Sequence, residues 1–139
     1  STDALAVARI NVERHRLADR ITLRHGDGLS GVQGPYDLIL CNPPYVPDAS
    51  MRTLPPEFRH EPKLALAGGA DGMILVRRLL HDAPACMTEE GLLVLEIGHE
   101  RESFERVCAS PEAVWLQTSA GEDQVVLLTR TALDSSTPR

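Results

Sequence analysis

The feature that most constrains the fold of this chain is a run of apolar residues that ends abruptly in a tetrapeptide containing two prolines. Residues 38–41 read Leu-Ile-Leu-Cys and are followed by Asn42-Pro43-Pro44-Tyr45. Apolar runs without alternation are typical of parallel strands that helices cover on both faces. The two prolines end such a strand, because neither has an N–H to donate to a neighbouring strand. The sequence therefore predicts a buried parallel strand over residues 37–41 and an α/β fold.

Asn42 would lie at the carboxyl end of this strand, where ligands bind in open α/β sheets. Its side chain carries a carbonyl acceptor and an NH2 donor, and the backbone carbonyls of Asn42 and Pro43 are further acceptors. These groups suit a planar NH2 group, of an amide or of a base, held for in-line transfer of a methyl group. The ring of Tyr45 would cover one face of that group. The alternative is a rigid strand exit without chemistry, and the four residues alone favour neither.

Asn42-Pro43-Pro44-Tyr45 resembles the (Asn/Asp)-Pro-Pro-(Tyr/Phe/Trp) motif of S-adenosylmethionine-dependent methyltransferases that act on amino groups. Three further segments narrow this resemblance: residues 54–62 with their Arg-His-Glu-Pro ending, residues 66–72, and Glu96-Ile97-Gly98. Together they resemble the HemK/PrmC/PrmB family of protein-glutamine methyltransferases over residues 1–130. Within that family, the resemblance is closest to the branch that acts on a large-subunit ribosomal protein.

The resemblance implies an enzyme that transfers a methyl group from S-adenosylmethionine to a glutamine side-chain amide of a ribosomal protein. It implies catalysis by Asn42, Pro43 and Tyr45, with Pro44 joining them in binding the acceptor. It also places Asn42 beside the cofactor. A general base is not required when acceptors position the attacking amide, so none is predicted.

Residues 21–25 alternate between apolar and polar side chains and predict a strand, which Gly26-Asp27-Gly28 would end. The resemblance implies that Asp27 borders the adenine of S-adenosylmethionine. The alternative is that Asp27 is a turn residue between two glycines, because Asp-Gly is a common turn pair.

Residues 46–70 show no clear helix or strand period and contain several prolines, which stiffen the backbone. A long, restrained loop beside a site is typical of a lid or of a substrate-recognition element. The resemblance implies that His60 and Glu61 take part in substrate binding. The alternative is a solvated charge cluster formed by these two residues and Arg59.

The charge balance separates the candidate functions. Lys and Arg total 14 against 20 Asp and Glu, which gives a formal charge of −6. Proteins whose affinity comes from a phosphate backbone carry the opposite balance. This weighs against an adenine-specific methyltransferase acting on a flipped base of DNA or RNA, which stays an alternative. A non-catalytic binding module is the second alternative.

Length and cysteine content predict one soluble, cytoplasmic domain. The 139 residues are 42% hydrophobic, which is enough for a core. Three cysteines are too few and wrongly spaced for a disulfide framework or a zinc site, so no metal is expected. No apolar run of membrane-spanning length and no leader segment is present, so neither a membrane nor export is predicted.

Capping residues and periodicity predict the other elements. Ser1, Thr2 and Asp3 are good N-caps for a helix over residues 1–17, and Asp71 would cap a second helix. The further predicted elements are an apolar strand over residues 92–97, a helix over residues 101–108, strands over residues 114–118 and 124–128 joined by five residues as a hairpin, and a disordered tail over residues 131–139.

The glycine-rich turn and the acidic residue that hold the cofactor in dinucleotide-type folds are absent. Residues 68–72 are glycine-rich and precede a predicted helix, but no predicted strand precedes them. We therefore expect residues 1–130 to be the C-terminal portion of a methyltransferase catalytic domain, a partial doubly wound Rossmann-like sheet without its first strands. The strand over residues 37–41 would then be an open edge. An inactive chain that self-associates through this edge is expected.

Overall fold

In the computed structural model, residues 1–119 and 121–136 are described, except for the side chains of Arg59 and Ser136. The chain divides into two units, Ser1–Gly31 and Val32–Arg139. No helix among the described residues combines the length and the apolar character needed to cross a bilayer.

The first unit contains one helix, α1 (Thr2–Arg14). The N–H of Ala4 donates to the hydroxyl oxygen of Ser1 at 3.2 Å, so Ser1 is the cap. The predicted helix is confirmed, although it ends three residues before residue 17. Arg16 has a φ of 56°, a left-handed conformation that does not continue an α-helix.

The predicted strand over residues 21–25 is wrong, because this segment has no regular secondary structure. A strand exists only as part of a hydrogen-bonded ladder, and the described residues of the first unit contain no second strand to pair with it. Its alternating pattern is therefore not sufficient to make it a strand in this chain.

The second unit carries a sheet, helices and 3₁₀ turns. Its helices and strands, in chain order, are β1 (Tyr36–Cys41), β2 (Val46–Pro47), α2 (Lys63–Leu66), β3 (Ala67–Gly69), α3 (Ile74–Asp82), β4 (Met87–Glu96), α4 (Arg101–Val107), β5 (Val114–Thr118), β6 (Gly121–Thr129) and α5 (Arg130–Ser136).

Four of these strands form one mixed sheet in the order β1-β4-β6-β5. β1 runs parallel to β4, and Cys41 lies beside Leu95. β6 is antiparallel to both β4 and β5. This sheet confirms the predicted α/β class, the parallel strand after residue 36 and the C-terminal hairpin. The hairpin connection is shorter than the predicted five residues, because β6 begins at Gly121; Ala120 lies outside the described residues.

The prediction that β1 is buried on both faces is wrong. Leu38 is 51% exposed and Leu40 is 69% exposed. Leu38 and Leu40 lie on the same face of β1 and alternate with the half-buried Ile39 and Cys41, so one face of the strand is left uncovered by the described residues. β1 is also the last strand of the sheet, with no described strand beyond it. The expectation that this strand is a sheet edge is confirmed for the described part of the chain.

The core of the second unit lies between α3, β4, β6 and α4. The apolar face of α3, formed by Val76, Leu79 and Leu80, is buried. Phe104 of α4 packs edge-on against Trp115 with ring centroids 5.7 Å apart. Such pairs add to the area term of burial. The fully buried side chains of this core include Met73, Val76, Ala83, Leu93, Leu95, Ile97, Phe104, Val126 and Leu128.

Asp71 is close to the start of α3 but is not its N-cap residue, which is Met73. The N–H of Met73 donates to Asp71 Oδ1 at 3.1 Å, and the guanidinium of Arg77 binds both carboxylate oxygens. The Arg77 hydrogen bonds lower the pKa of Asp71 to about 2. Asp71 therefore stabilises the first turn of α3 from a position two residues before the N-cap residue, whereas the sequence predicted that Asp71 would be the N-cap itself.

The prediction of a disordered tail is wrong for residues 131–136, which belong to α5. The hydroxyl of Thr129 accepts a hydrogen bond from the N–H of Ala132 at 3.1 Å, and Arg130 donates to the carbonyl of Met87 at 2.9 Å. Ala132 is 0% exposed and Leu133 is 1% exposed. Residues 137–139 of the predicted tail lie outside the described residues.

Candidate functional site

A pocket of about 570 Å³ lies beyond the carboxyl ends of β1 and β4. The parallel register pairs Cys41 with Leu95, so Asn42 and Glu96 follow at the same edge of the sheet. Asn42, Pro43 and Tyr45 form part of the pocket wall, as does Gly98 just after β4. This volume is within the range of small-ligand sites and exceeds what one amide side chain would fill.

Asn42 is exposed, and within the described residues its side-chain amide has no hydrogen-bond partner. Pro43, the next residue, is buried. The turn is therefore anchored by proline while the amide of Asn42 is open to a ligand, with both an acceptor and a donor to offer.

The backbone of Pro44 and Tyr45 packs directly on the glycine-rich residues 68–72, which begin within β3. A Cβ at Gly68 would lie 2.8 Å from the carbonyl oxygen of Pro44, and one at Gly72 would lie 2.2 Å from that of Tyr45. Gly72 also has a φ of 77°, a backbone conformation that residues other than glycine rarely adopt. The residue choice at these two positions follows from this close approach.

The ring of Tyr45 lies against the backbone that follows β4. A Cβ at Gly98 would lie 2.6 Å from Cε2 of Tyr45 and 3.0 Å from its hydroxyl oxygen. Gly98 has a φ of 54°, so its backbone conformation and the space above it both call for glycine.

Burial raises the pKa of the Tyr45 hydroxyl above its usual range, and the negative charges of Glu96 and Glu61 raise it further. Each of these effects disfavours the phenolate. Tyr45 is therefore a neutral phenol whose ring lies against Gly98.

The two ends of the predicted lid, residues 46–70, are joined by a small parallel sheet formed by β2 and β3. Val46 pairs with Ala67 and Pro47 with Gly69, and the N–H of Asp48 donates to Gly69 at 2.9 Å. Between these ends, the segment contains 3₁₀ turns at Ser50–Arg52 and Pro56–His60 and the single helical turn of α2. It is therefore more ordered than its lack of period suggested, because several short elements of different period alternate within it.

Comparison with known proteins gives two results. The family described as the methyltransferase small domain matches residues 1–67. The ribosomal protein uL3 glutamine methyltransferase of Bordetella pertussis is 54% identical over 136 residues, which are 97% of this chain and 46% of that protein. Enzymes with the same description from Burkholderia pseudomallei and Neisseria meningitidis are 48% and 47% identical, over 92% and 96% of this chain and 44% of each relative.

The resemblance to the protein-glutamine methyltransferases is confirmed. The chain spans about half the length of the curated relatives that it matches. Identity at this level over nearly the whole chain shows that the likeness is not confined to Asn-Pro-Pro-Tyr.

The structure brings only some of the residues assigned through this methyltransferase resemblance to the pocket. Glu61 lines it together with Asn42, Pro43 and Tyr45, whereas His60 and Pro44 are not part of the wall that the described residues form. Their roles in binding or catalysis stay predictions. His60 is exposed on the 3₁₀ turn, and Pro44 contributes through its contact with Gly68.

Asp27, the residue expected beside the adenine, belongs to the first unit. The N–H of Ser30 donates to its carbonyl oxygen at 3.2 Å, and Gly28 has a φ of 59°. Asp27 is thus an exposed turn residue, as the alternative reading of Asp-Gly proposed. A turn residue with an exposed carboxylate is compatible with cofactor binding, and that role stays a prediction.

Sequence reasoning missed four polar residues of the pocket wall: Ser50, which lies on a 3₁₀ turn of the predicted lid, and His99, Glu100 and Gln124. His99 and Glu100 follow directly after β4, so the rule that was applied to Asn42 at the end of β1 would have found them. Gln124 is brought to the site by β6, where its carbonyl accepts from the N–H of Ile97 at 2.9 Å. That contact depends on the antiparallel register and has no local signal.

Proposed function

We propose that the complete protein transfers a methyl group from S-adenosylmethionine to the side-chain amide of a glutamine in a ribosomal protein. The observation that carries this proposal is the corner formed by the exposed amide of Asn42 and the fixed ring of Tyr45 in one pocket wall. A planar amide fits this corner in shape and in hydrogen bonding. The names of the relatives support glutamine in a ribosomal protein as the acceptor.

In this mechanism, the acceptor NH2 donates to the side-chain carbonyl of Asn42 and to a backbone carbonyl of Asn42 or Pro43. Tyr45 covers the face of the amide and prevents it from rotating. These contacts direct the nitrogen at the incoming methyl group and supply positioning rather than proton abstraction. S-adenosylmethionine supplies an electrophilic methyl group on a sulfonium. The amide nitrogen forms a bond to the methyl carbon as the carbon–sulfur bond breaks, the sulfur keeps that electron pair as a neutral thioether, and the nitrogen releases one proton to solvent. Glu61 and His60 contribute to recognition of the acceptor protein.

The described residues fit only part of the cofactor. Asn42 and Asp27 are the proposed contacts, but the glycine-rich residues 68–72 cannot serve as a cofactor turn. These residues begin within the short strand β3 and precede α3, a context that the sequence did not predict. However, the carbonyls of Pro44 and Tyr45 fill the space beside Gly68 and Gly72. We therefore derive no contact between this segment and S-adenosylmethionine, and we propose that the rest of the protein supplies the ribose and methionine contacts.

We further propose that the described sheet is the later part of a doubly wound, Rossmann-like methyltransferase sheet. The parallel pair β1 and β4, followed by the antiparallel β5 and β6, supports this assignment. The free thiols of Cys41, Cys86 and Cys108 fit a reducing compartment, and the cytoplasm is the proposed location.

The test uses the full-length enzyme with methyl-labelled S-adenosylmethionine and, separately, large-subunit ribosomal protein and duplex DNA. We expect label in a glutamine of the protein. Asn42→Ala should reduce transfer on the order of 100-fold, because a contact that positions the reacting group is lost. Cofactor affinity should fall much less than turnover, because Asn42 supplies only one of the proposed cofactor contacts. The exposed Asn11→Ala on α1 is the matched control. Label in adenine, or near-normal turnover by Asn42→Ala, would refute the proposal.

A further inference from the structure

The wall of the candidate pocket has two halves of different chemistry. The exits of β1 and β4, together with β6, supply most of its polar groups, whereas the lid supplies mainly apolar side chains. Among the described residues of the lid half, only Ser50 and Glu61 are polar, and the largest apolar side chains are Leu54, Phe58 and Leu66. The transfer proposed above uses none of these three apolar residues.

The local backbone holds the apolar half of the wall in place. The N–H of Phe58 donates to the carbonyl of Pro55 at 3.1 Å, and the carbonyl of Phe58 accepts from the N–H of Glu61 at 3.2 Å. Leu66 is the last residue of α2 and directly precedes β3, one of the two strands that join the ends of the lid. The lid therefore presents an ordered apolar surface to the cavity before any ligand binds.

This apolar surface is only partly covered by the rest of the chain. Phe58 is 37% exposed, and Leu54 and Leu66 are half-buried. Apolar area that faces a concave cavity is stabilised when an apolar group of a ligand covers it. The lid half of the cavity is thus suited to an apolar group, and the half with Asn42 is suited to an amide.

The covalent structure of a protein acceptor determines which apolar group can reach this surface. The cavity of about 570 Å³ exceeds the volume of one amide side chain. Consecutive Cα atoms are about 3.8 Å apart, so the residues beside an acceptor glutamine must enter the cavity region together with it. The methionine end of S-adenosylmethionine carries charged groups, which would lose their solvation against an apolar wall. A side chain of the acceptor protein therefore suits this half better than the charged end of the cofactor does.

We propose that Leu54, Phe58 and Leu66 form a subsite for an apolar side chain beside the acceptor glutamine, so that the lid selects the glutamine by its neighbour. This inference rests on the proposed function, because it requires a glutamine within a protein as the acceptor. The position of the methyl label tests that function, whereas KM for the protein tests the subsite, so the two proposals can fail separately.

The first experiment measures steady-state kinetics of the full-length enzyme with the large-subunit ribosomal protein as acceptor. Phe58→Ala should raise KM for the protein about tenfold and leave kcat nearly unchanged, because the lost contact stabilises the ground state and the transition state alike. Phe58→Leu keeps an apolar side chain and should restore most of the affinity. Leu54→Ala, at another point of the lid, should have the same effect as Phe58→Ala.

Leu64→Ala is the matched control, because Leu64 lies on the same lid, is 75% exposed and is outside the described wall. It should change neither KM nor kcat, and circular dichroism checks the folding of every variant. Normal KM for the protein in folded Phe58→Ala and Leu54→Ala would overturn the subsite, as would a rise in KM for S-adenosylmethionine instead. Label that still enters glutamine in those variants would leave the proposed function standing.

The second experiment changes the acceptor. Mass spectrometry of the labelled protein identifies the methylated glutamine, and the apolar residue nearest to it is replaced by serine. This replacement should raise KM about tenfold with the wild-type enzyme and have little further effect with Phe58→Ala, because the two changes remove the same contact. A methylated glutamine without an apolar residue within two positions would overturn the proposal, and so would an equal loss with both enzymes.

Discussion

At the scale of single residues, substitutions at Gly98 and Gly31 distinguish the effect of disturbing the contact with the Tyr45 ring from the effect of backbone strain. Alanine at this position would suffer from a φ of 54° and would also push its Cβ into the ring of Tyr45. Gly31 has a φ of 71° with nothing within 4 Å of an added Cβ, so Gly31→Ala is the matched control. Each substitution should cost about 1–2 kcal/mol of unfolding free energy for the left-handed conformation.

Only Gly98→Ala should lower kcat of the full-length enzyme, by about tenfold or more, because an untethered ring no longer holds the acceptor. Urea unfolding and steady-state kinetics on both variants measure the two effects. Normal kcat for Gly98→Ala would mean that the ring can be displaced without consequence.

The residues of the acceptor corner could be predicted because their signal is local. An apolar run followed by Asn42-Pro43 predicts the carboxyl end of a strand, and ligands bind at the carboxyl ends of strands in open α/β sheets. The contact between the ring of Tyr45 and Gly98 has no such signal, because it depends on the register that pairs Cys41 with Leu95. His60 shows the opposite limit. The family resemblance assigned His60 to substrate binding, but the direction in which a loop side chain points is set by turns that periodicity does not reveal.

At the scale of elements, substitutions in α5 test whether the C-terminal segment is part of the core. Leu133 is 1% exposed, so Leu133→Ala should reduce the unfolding free energy by about 2–4 kcal/mol through lost burial and a residual cavity. The exposed Thr131→Ala on the same helix is the control and should change it by less than about 0.5 kcal/mol. Chemical denaturation of the two variants measures the difference. Equal stability would show that residues 131–136 behave as the tail that the sequence predicted.

The elements that sequence reasoning missed are those whose stability comes from elsewhere in the chain. α5 is too short for its period to be recognised, and it forms because Arg130 and Leu133 find partners on the sheet side. The segment over residues 21–25 has the pattern of a strand, but the described residues of its unit offer no ladder. A helix capped by Asp71 was predicted, and α3 does form in this segment, but it begins at Ile74 because Met73 is its N-cap residue.

At the scale of the whole molecule, the four-stranded sheet ends in a strand that is apolar yet exposed. Natural sheet edges are usually protected by charge, proline or a covering element. β1 carries one charge, at Asp37, whose carboxylate accepts from the hydroxyl of Thr88 on β4, and no described element covers Leu38 and Leu40. An edge of this kind is a site for pairing with another strand, supplied by the same protein or by a second copy of the chain.

We therefore predict that the 139-residue chain self-associates through β1, transfers no methyl group and binds S-adenosylmethionine weakly. A charge on the edge should oppose the pairing, so Leu40→Lys should shift the light-scattering mass toward the monomer. Leu64→Lys is the matched control, because Leu64 is 75% exposed on α2 and not on the sheet edge, and it should leave association unchanged. Isothermal titration with the cofactor tests the other half, since only Asp27 and Asn42 are proposed to contact it in this chain. A monodisperse monomer that binds the cofactor at micromolar concentration would contradict both parts, because it would show that the edge is not adhesive and that the described residues hold more of the cofactor than their contacts suggest.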